Sequence, residues 1–282
     1  MFLTRLLSGI VLVLVALATM WSGGLVLCLV IAALSLIGYL ELTTASGVSK
    51  NKKSGLEIIG IIGILLYDTV LYLCTTLGLD THFAILVTLI AVFIGEMFVY
   101  VFAFPKFNAE QTMASFFSFV YAPIGLSFIY LTRQLPNGIY FVWLILLCSW
   151  GCDTCAYCVG VLFGKHKMSP ILSPKKSVEG AVGGVVGAGL LGALYGLFVQ
   201  TKLQTGGSLI GFFVVICMVG ALISMVGDLA ASAIKRNHEI KDYGKLIPGH
   251  GGVMDRFDSV IFVSPLLYFM VFLLSKMSPL LG

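Results

Sequence analysis

Between Ser232 and Asp258 the chain reads SAIKRNHEIKDYGKLIPGHGGVMDRFD, a polar stretch set between two long apolar runs. Lys235, Arg236, Lys241, Lys245 and Arg256 stand there beside Asp242, Asp255 and Asp258, while Pro248, Gly249, Gly251 and Gly252 bend the backbone around His250. Cations, carboxylates and exposed backbone amides in one place suit a phosphate ester held together with a divalent metal. For His250, Gly251 and Gly252 two readings stand: close approach of backbone amides to a phosphate, or a tight turn.

A second candidate is Ser173-Pro-Lys-Lys-Ser177-Val-Glu-Gly180, followed by Gly183, Gly184, Gly187, Gly189 and Gly192. Pro174 stiffens the approach, Lys175 and Lys176 offer charge, and Ser177 stands where it can cap a helix whose positive end faces an anion. This describes a phosphate cradle. A positive-inside anchor before a close-packed glycine helix accounts for the glycines equally well, but not for the S-P-K-K-S order. The segment is not a Walker loop, since no G-x-x-x-x-G-K-[ST] occurs.

A third candidate is CSWGCDTCAYC, Cys148 to Cys158, continuing to Phe163-Gly-Lys165. Its C-x-x-C spacings resemble a thiolate metal site, but Cys152, Cys155 and Cys158 at successive i+3 positions sweep around a helix instead of converging. They read as small hydrophobes at close helix contacts. Asp153, Tyr157, Gly160 and Gly164 recur at i+3 and i+4, which predicts one polar, small-residue face toward the bundle interior.

The elements that must position these residues are membrane helices. Apolar residues make up 59% of the 282-residue chain and charged residues 11%, with mean hydropathy +1.05, against roughly 25% charged in soluble domains. Apolar segments fall at about residues 6–21, 25–42, 56–79, 83–104, 112–131, 139–163, 178–199, 209–234 and 257–274. The expected fold is all-α: a polytopic bundle of about nine transmembrane helices with the active-site loop between the last two. One membrane domain occupies residues 1–282, with residues 1–111 as N-terminal helices and 112–282 carrying the motifs. The first pair is separated only by Ser22, Gly23 and Gly24. A continuous helix there would be about 55 Å long against a core of about 30 Å, which favours a hairpin over one span.

With the Ser232 to Asp258 loop inside, 14 of the 17 Lys and Arg residues are cytoplasmic, among them Arg5, Lys50, Lys52 and Lys53; only Arg133, Lys202 and Lys276 fall outside. Among the acids within apolar segments, Asp68, Glu96, Asp153 and Asp228 stand out. Each is costly in the bilayer unless it meets a partner or a wet cavity. Asp153 and Asp228, followed by basic loops, read as functional; Asp68 and Glu96 divide evenly between structural and functional roles.

The chain closely resembles the CDP-diacylglycerol synthase family, the phosphatidate cytidylyltransferases. That family's signature appears as Ser232, Ile234, Lys235, Arg236, Lys241, Asp242, Gly244, Ile247, Pro248, His250, Gly251, Gly252, Val253, Asp255, Arg256 and Asp258. The resemblance extends to D-T-x-A-Y at Asp153 to Tyr157, to Phe163-Gly-Lys165 and to S-P-K-K-S-x-E-G, where Val178 stands at a position often Trp in the family. The N-terminal third matches only as hydrophobic helices.

The resemblance implies a magnesium-dependent transfer of the cytidylyl group of CTP to phosphatidate. It assigns Asp228 and Asp255 as metal ligands, for Mg2+ and a second, monovalent cation such as K+, and with Lys241 and Arg256 as catalytic. Lys175, Lys176, Ser177, Lys235, Arg236, His250, Gly251, Gly252, Asp153 and Asp258 are the expected substrate-binding residues. The expected partners are CTP, phosphatidate and the bilayer, without nucleic acid, and with a homodimer as an open option. The expected location is the plasma (inner) membrane of a bacterium, with the active site facing the cytoplasm. Two alternatives stand beside this: a related CTP-dependent enzyme acting on another lipid phosphate or a polyprenol, and a membrane transporter, which the absence of an internal repeat disfavours.

Overall fold

In lipid every backbone N–H and C=O must be satisfied within the chain, so long apolar runs without alternation fold as helices. The structure, a computed structural model, describes residues 2–49, 54–203 and 208–277. Lys50, Lys52 and Lys53 of the charge count lie outside these residues, as does the side chain of Arg5. The described residues form nine helices: α1 (Phe2–Ser22), α2 (Gly24–Ala45), α3 (Gly55–Leu77), α4 (Thr81–Phe102), α5 (Ala109–Gln134), α6 (Gly138–Phe163), α7 (Val178–Leu203), α8 (Ile210–Asn237) and α9 (Met254–Met277). Eight of these are long and apolar enough to cross a membrane. In α1 the apolar stretch is the shorter Leu6–Ser22, about 25 Å at about 1.5 Å per residue. The break after it is enforced by Gly23 and Gly24, at φ 63° and 49°, a region that costs other residues strain.

Local chemistry fixes several helix starts. Ser54 and Glu57 exchange side-chain-to-backbone bonds at the head of α3, and Asn108 and Gln111 do the same at α5. Asp80 caps α4 through the amides of His82 and Phe83. Two helices widen in ways their apolar pattern did not disclose. In α5 a π turn spans Val120–Ile124 around Pro123, which has no N–H to give and crowds the preceding turn. In α6 a second π turn spans Leu147–Gly151, one residue before Cys152 and Asp153. A residue inserted in this way rotates all that follows by about 100°.

The chain divides into two compact units. One comprises residues 1–130 and 238–256, the other residues 131–237 and 257–282, so α5 and α9 each contribute to both. In the first unit, polar side chains inside the bundle are joined in pairs and chains. Tyr39 Oη meets Ser115 Oγ at 2.8 Å, Ser115 Oγ donates to Glu96 Oε1 at 2.7 Å, and Tyr67 Oη meets Ser127 Oγ at 2.8 Å.

The second unit is organised around the glycines of α7. A Cβ on Gly183 would stand 2.5 Å from Val159 and one on Gly187 2.6 Å from Cys155, both on α6. On α8, Met218 would be 2.8 Å from a Cβ at Gly189, and the Phe213 carbonyl oxygen 2.6 Å from one at Gly192. Small residues therefore let α7 approach a neighbour on both faces. Four cysteines serve the same packing, Cys148 meeting Gly220, Cys152 Gly184, Cys155 Gly187 and Cys217 Gly192, while Cys158 is exposed; all seven are free thiols. Between α6 and α7 the chain forms a short antiparallel hairpin, β1 (Lys167–Ser169) with β2 (Ser173–Ser177), that no apolar pattern announced.

Replacing Gly192 by Ala should lower the thermal midpoint of the detergent-purified protein, at an overpacking cost of about 1–3 kcal/mol. Gly211→Ala, where nothing lies within 4 Å of the added Cβ, should leave the midpoint unchanged or slightly raised.

Candidate active site

The hairpin is fixed to the head of α7 by two side chains of its own motif. Ser177 Oγ accepts from Gly180 N at 3.1 Å, the cap expected of its position. Glu179 accepts from Lys165 N at 3.0 Å and from His166 N at 3.1 Å, while its Oε1 lies 2.5 Å from His166 Nδ1. The carboxylate thus gathers the turn after α6 onto the start of α7. Gly160, Gly164 and Gly180 permit the approach, because a Cβ on Gly164 would stand 2.7 Å from Ser177 Oγ and one on Gly180 would stand 2.8 Å from the Ala156 carbonyl.

This arrangement leaves a cavity of about 530 Å³ within the second unit, walled by Asp153, Tyr157, Lys175, Lys176, Ser177 and Asp228 together with apolar side chains such as Val161 and Met225. Lys176 Nζ is ion-paired with Asp228 Oδ2. Asp153 is exposed and lines the cavity, so this acid is not buried among apolar side chains. The predicted face of α6 is thus divided: Asp153 and Tyr157 line the cavity, while Gly160 and Gly164 pack against Ser177 and Gly180. Asp258 is buried, with Oδ1 accepting from Ser259 N at 2.7 Å, and it lies within electrostatic reach of Lys235, Asp153 and Lys176. Gly227 brings α8 and α9 together there, since its Cβ would stand 2.9 Å from the Asp258 carbonyl oxygen. Lys235 and Arg236 lie in the last turn of α8, with Arg236 exposed.

Lys241, His250, Gly251, Gly252, Asp255 and Arg256 belong to the first unit. Ile247 and Gly251 form an isolated antiparallel bridge, and His250 N donates to Ile247 O at 2.9 Å. Asp255 Oδ2 accepts from Tyr243 N and from Gly252 N, both at 2.9 Å. The amides of His250 and Gly252 are thus spent within the turn, and Gly251, at φ 87°, supplies the backbone geometry that closes it. Arg256 Nε donates to the His250 carbonyl at 2.9 Å. Lys241 and Lys245 are exposed.

Two residues of this unit were passed over in the sequence. Ser8 Oγ, on α1, donates to Pro248 O at 3.0 Å and lies 2.8 Å from His250 Nδ1. Glu41, on α2, accepts from Val253 N at 3.0 Å and Met254 N at 2.8 Å. In the sequence Glu41 carries the same signal as Asp68, Glu96, Asp153 and Asp228, a carboxylate in an apolar run, and Ser8 carries none. Of the evenly divided pair, Glu96 joins the Tyr39–Ser115 chain of hydrogen bonds. Asp68 is buried with neither carboxylate oxygen hydrogen-bonded among the described residues.

Residues 3–274 match the profile of the Cytidylyltransferase family. The chain belongs to that family. It is 32% identical to the phosphatidate cytidylyltransferase of Staphylococcus saprophyticus over 263 residues, which cover 93% of this chain and 96% of that one. It is 33% identical, at the same coverage of each chain, to the proteins of that name from Staphylococcus epidermidis and Staphylococcus aureus. In this family member the signature loop and the hairpin hold charged groups on an irregular backbone.

Glu179→Ala should release the turn at Lys165 and His166. Trypsin is expected to cut the detergent-purified variant at Lys165, Lys167, Lys175 or Lys176 markedly faster than the parent, with cleavage elsewhere unchanged; equal rates would show that the carboxylate does not hold the hairpin.

Proposed function

We infer that the chain transfers the cytidylyl group of CTP to phosphatidate, forming CDP-diacylglycerol and pyrophosphate in phospholipid biosynthesis. The observation that carries this reading is the cavity of the second unit, where Lys175, Lys176 and Ser177 stand with Asp153 and Asp228 beside apolar walls. Such a wall suits an anionic nucleotide and a lipid phosphate better than a neutral solute. A phosphate monoester has a second pKa of about 6, so much of the phosphatidate is already a dianion at neutral pH and needs no protein base. Its oxygen attacks the α-phosphorus of CTP, the bond from that phosphorus to the β-phosphate oxygen breaks, and the electron pair leaves with pyrophosphate. The work left to the protein is to hold two anions together and stabilise the charge that builds up during displacement.

Asp228 and Asp255 are the proposed metal ligands for magnesium and a second, monovalent cation such as K+. Among the described residues no group of three or more His, Cys, Asp or Glu side chains is gathered as a metal site. Carboxylate oxygens in small number nevertheless fit magnesium, which keeps several waters and takes further oxygens from substrate phosphates instead of a full protein cage. Bound there, magnesium would neutralise phosphate charge. Lys241 and Arg256 are proposed to act on the reacting phosphates. Lys175, Lys176, Ser177, Lys235 and Arg236 are proposed to hold the substrates' phosphates, while Asp153 and Asp258 act on the cations around them. The loops are proposed to face the cytoplasm of a bacterial plasma membrane; the 14 to 3 division of Lys and Arg supports this.

Purified protein offered each of the four nucleoside triphosphates with several lipid phosphates should yield one product, CDP-diacylglycerol by mass, and only with magnesium present. A product from a polyprenyl phosphate in preference to phosphatidate would replace the substrate assignment. Asp228→Asn or Asp255→Asn should reduce turnover by about 100-fold or more while leaving the protein folded, because each keeps volume and removes a charged oxygen. Wild-type turnover in either would remove that residue from the site.

A further inference from the structure

The loop bearing Lys241, His250 and Asp255 is held by a residue outside the signature. Glu41 stands near the C-terminal end of α2, where a carboxylate opposes that helix's own dipole. Its two oxygens instead meet the start of α9, Oε1 accepting from Val253 N at 3.0 Å and Oε2 from Met254 N at 2.8 Å. Those amides are among the donors that the first turn of a helix leaves unsatisfied, and the positive end of the α9 dipole lies there too. The position is therefore poor for α2 and good only for α9.

A second observation points the same way. An added Cβ on Gly244 would stand 2.3 Å from Glu41 Oε1, and one on Gly252 would also stand 2.3 Å from it. Two glycines of the signature loop thus form the socket into which this carboxylate fits. Gly38, one turn earlier on α2, lets the Met254 side chain pack against the helix, since its Cβ would stand 3.0 Å from Met254 Sδ. Three consecutive amides are then divided between two acids: Gly252 N goes to Asp255, while Val253 N and Met254 N go to Glu41. The backbone that orients Asp255 is the backbone that Glu41 holds.

We propose that Glu41 is a positioning residue for cytidylyl transfer, fixing the start of α9 and the Gly244 to Gly252 turn so that Asp255 is presented for cation binding. The proposal rests on the function inferred above. It gives α2, among the N-terminal helices, a positioning role toward the reaction.

The test compares Glu41→Gln, which keeps volume but turns an amide NH2 toward a backbone donor, with Ser54→Ala, which removes a helix cap in the same unit. Supporting residues of this kind typically change metal affinity or activity by about 10- to 100-fold. For Glu41→Gln the expected result is a kcat lowered in that range and a higher magnesium requirement, with KM for CTP changed less than twofold. Mn2+ binding without substrate, read by electron paramagnetic resonance of the free ion, should weaken about tenfold. Glu41→Asp, with both oxygens on a shorter stem, should recover part of each loss and carries the comparison if Glu41→Gln does not accumulate. Ser54→Ala should lower only the thermal midpoint. Wild-type kcat and Mn2+ affinity in the Glu41 variants, or a fall in thermal midpoint alone as in Ser54→Ala, would overturn the proposal. A parent protein that turns over no CTP would instead overturn the functional reading, and the Mn2+ titration would still judge Glu41.

Discussion

A carboxylate that accepts backbone amides is the interaction on which the signature loop and the hairpin rest. Glu179 takes the amides of Lys165 and His166, Asp255 those of Tyr243 and Gly252, and Glu41 those of Val253 and Met254. In a protein this apolar, backbone outside helices survives only if its donors are answered from within or by water. A carboxylate answers two at once, and its charge strengthens each bond to roughly twice that of a neutral pair. The same device thus solves a folding problem and brings negative and positive groups to the places proposed for chemistry.

Glycine supplies the complementary condition. Along α7 it removes the Cβ atoms that would hold α6 and α8 away, and at Gly227 it brings α9 against α8 beside Asp228. Close helix approach positions Lys176 on the hairpin and Asp228 on α8 as an ion pair at one cavity wall. With CTP and a cation proposed there, that pair is the natural point at which bound charge redistributes, Lys176 toward phosphate and Asp228 toward the metal.

Much of this could be read from residues alone. Spans follow from apolar runs, so the start of α7 near Val178 and the break among Ser22, Gly23 and Gly24 were legible, and the cap at Ser177 followed from its place before a glycine-rich helix. The i+3 cysteines read as packing residues because that spacing cannot converge on a metal; Cys152 is buried, Cys155 is half-buried and Cys158 is exposed. The π turns were not legible, since a widened turn keeps the same apolar composition and only shifts its register. The hairpin escaped because its strands are short and lack alternation. Asp153 and Tyr157 line a cavity while Gly160 and Gly164 of the same face pack against Ser177 and Gly180, because side-chain periodicity gives a face but not what each part of it meets. Glu41 is visible in the sequence as a carboxylate in an apolar run, but its partners are main-chain amides more than two hundred residues away, which no side-chain pattern encodes.

The central claim is that the cavity bounded by Asp153, the Lys175 to Ser177 strand and Asp228 receives the nucleotide. Photocrosslinking with a base-modified CTP analogue, followed by mass mapping of the labelled peptides, tests it most directly. The account predicts labelling concentrated between residues 153 and 181 or around Asp228, suppressed by excess CTP and not by ATP. Labelling confined to α3 and α4, or undiminished by CTP, would contradict it.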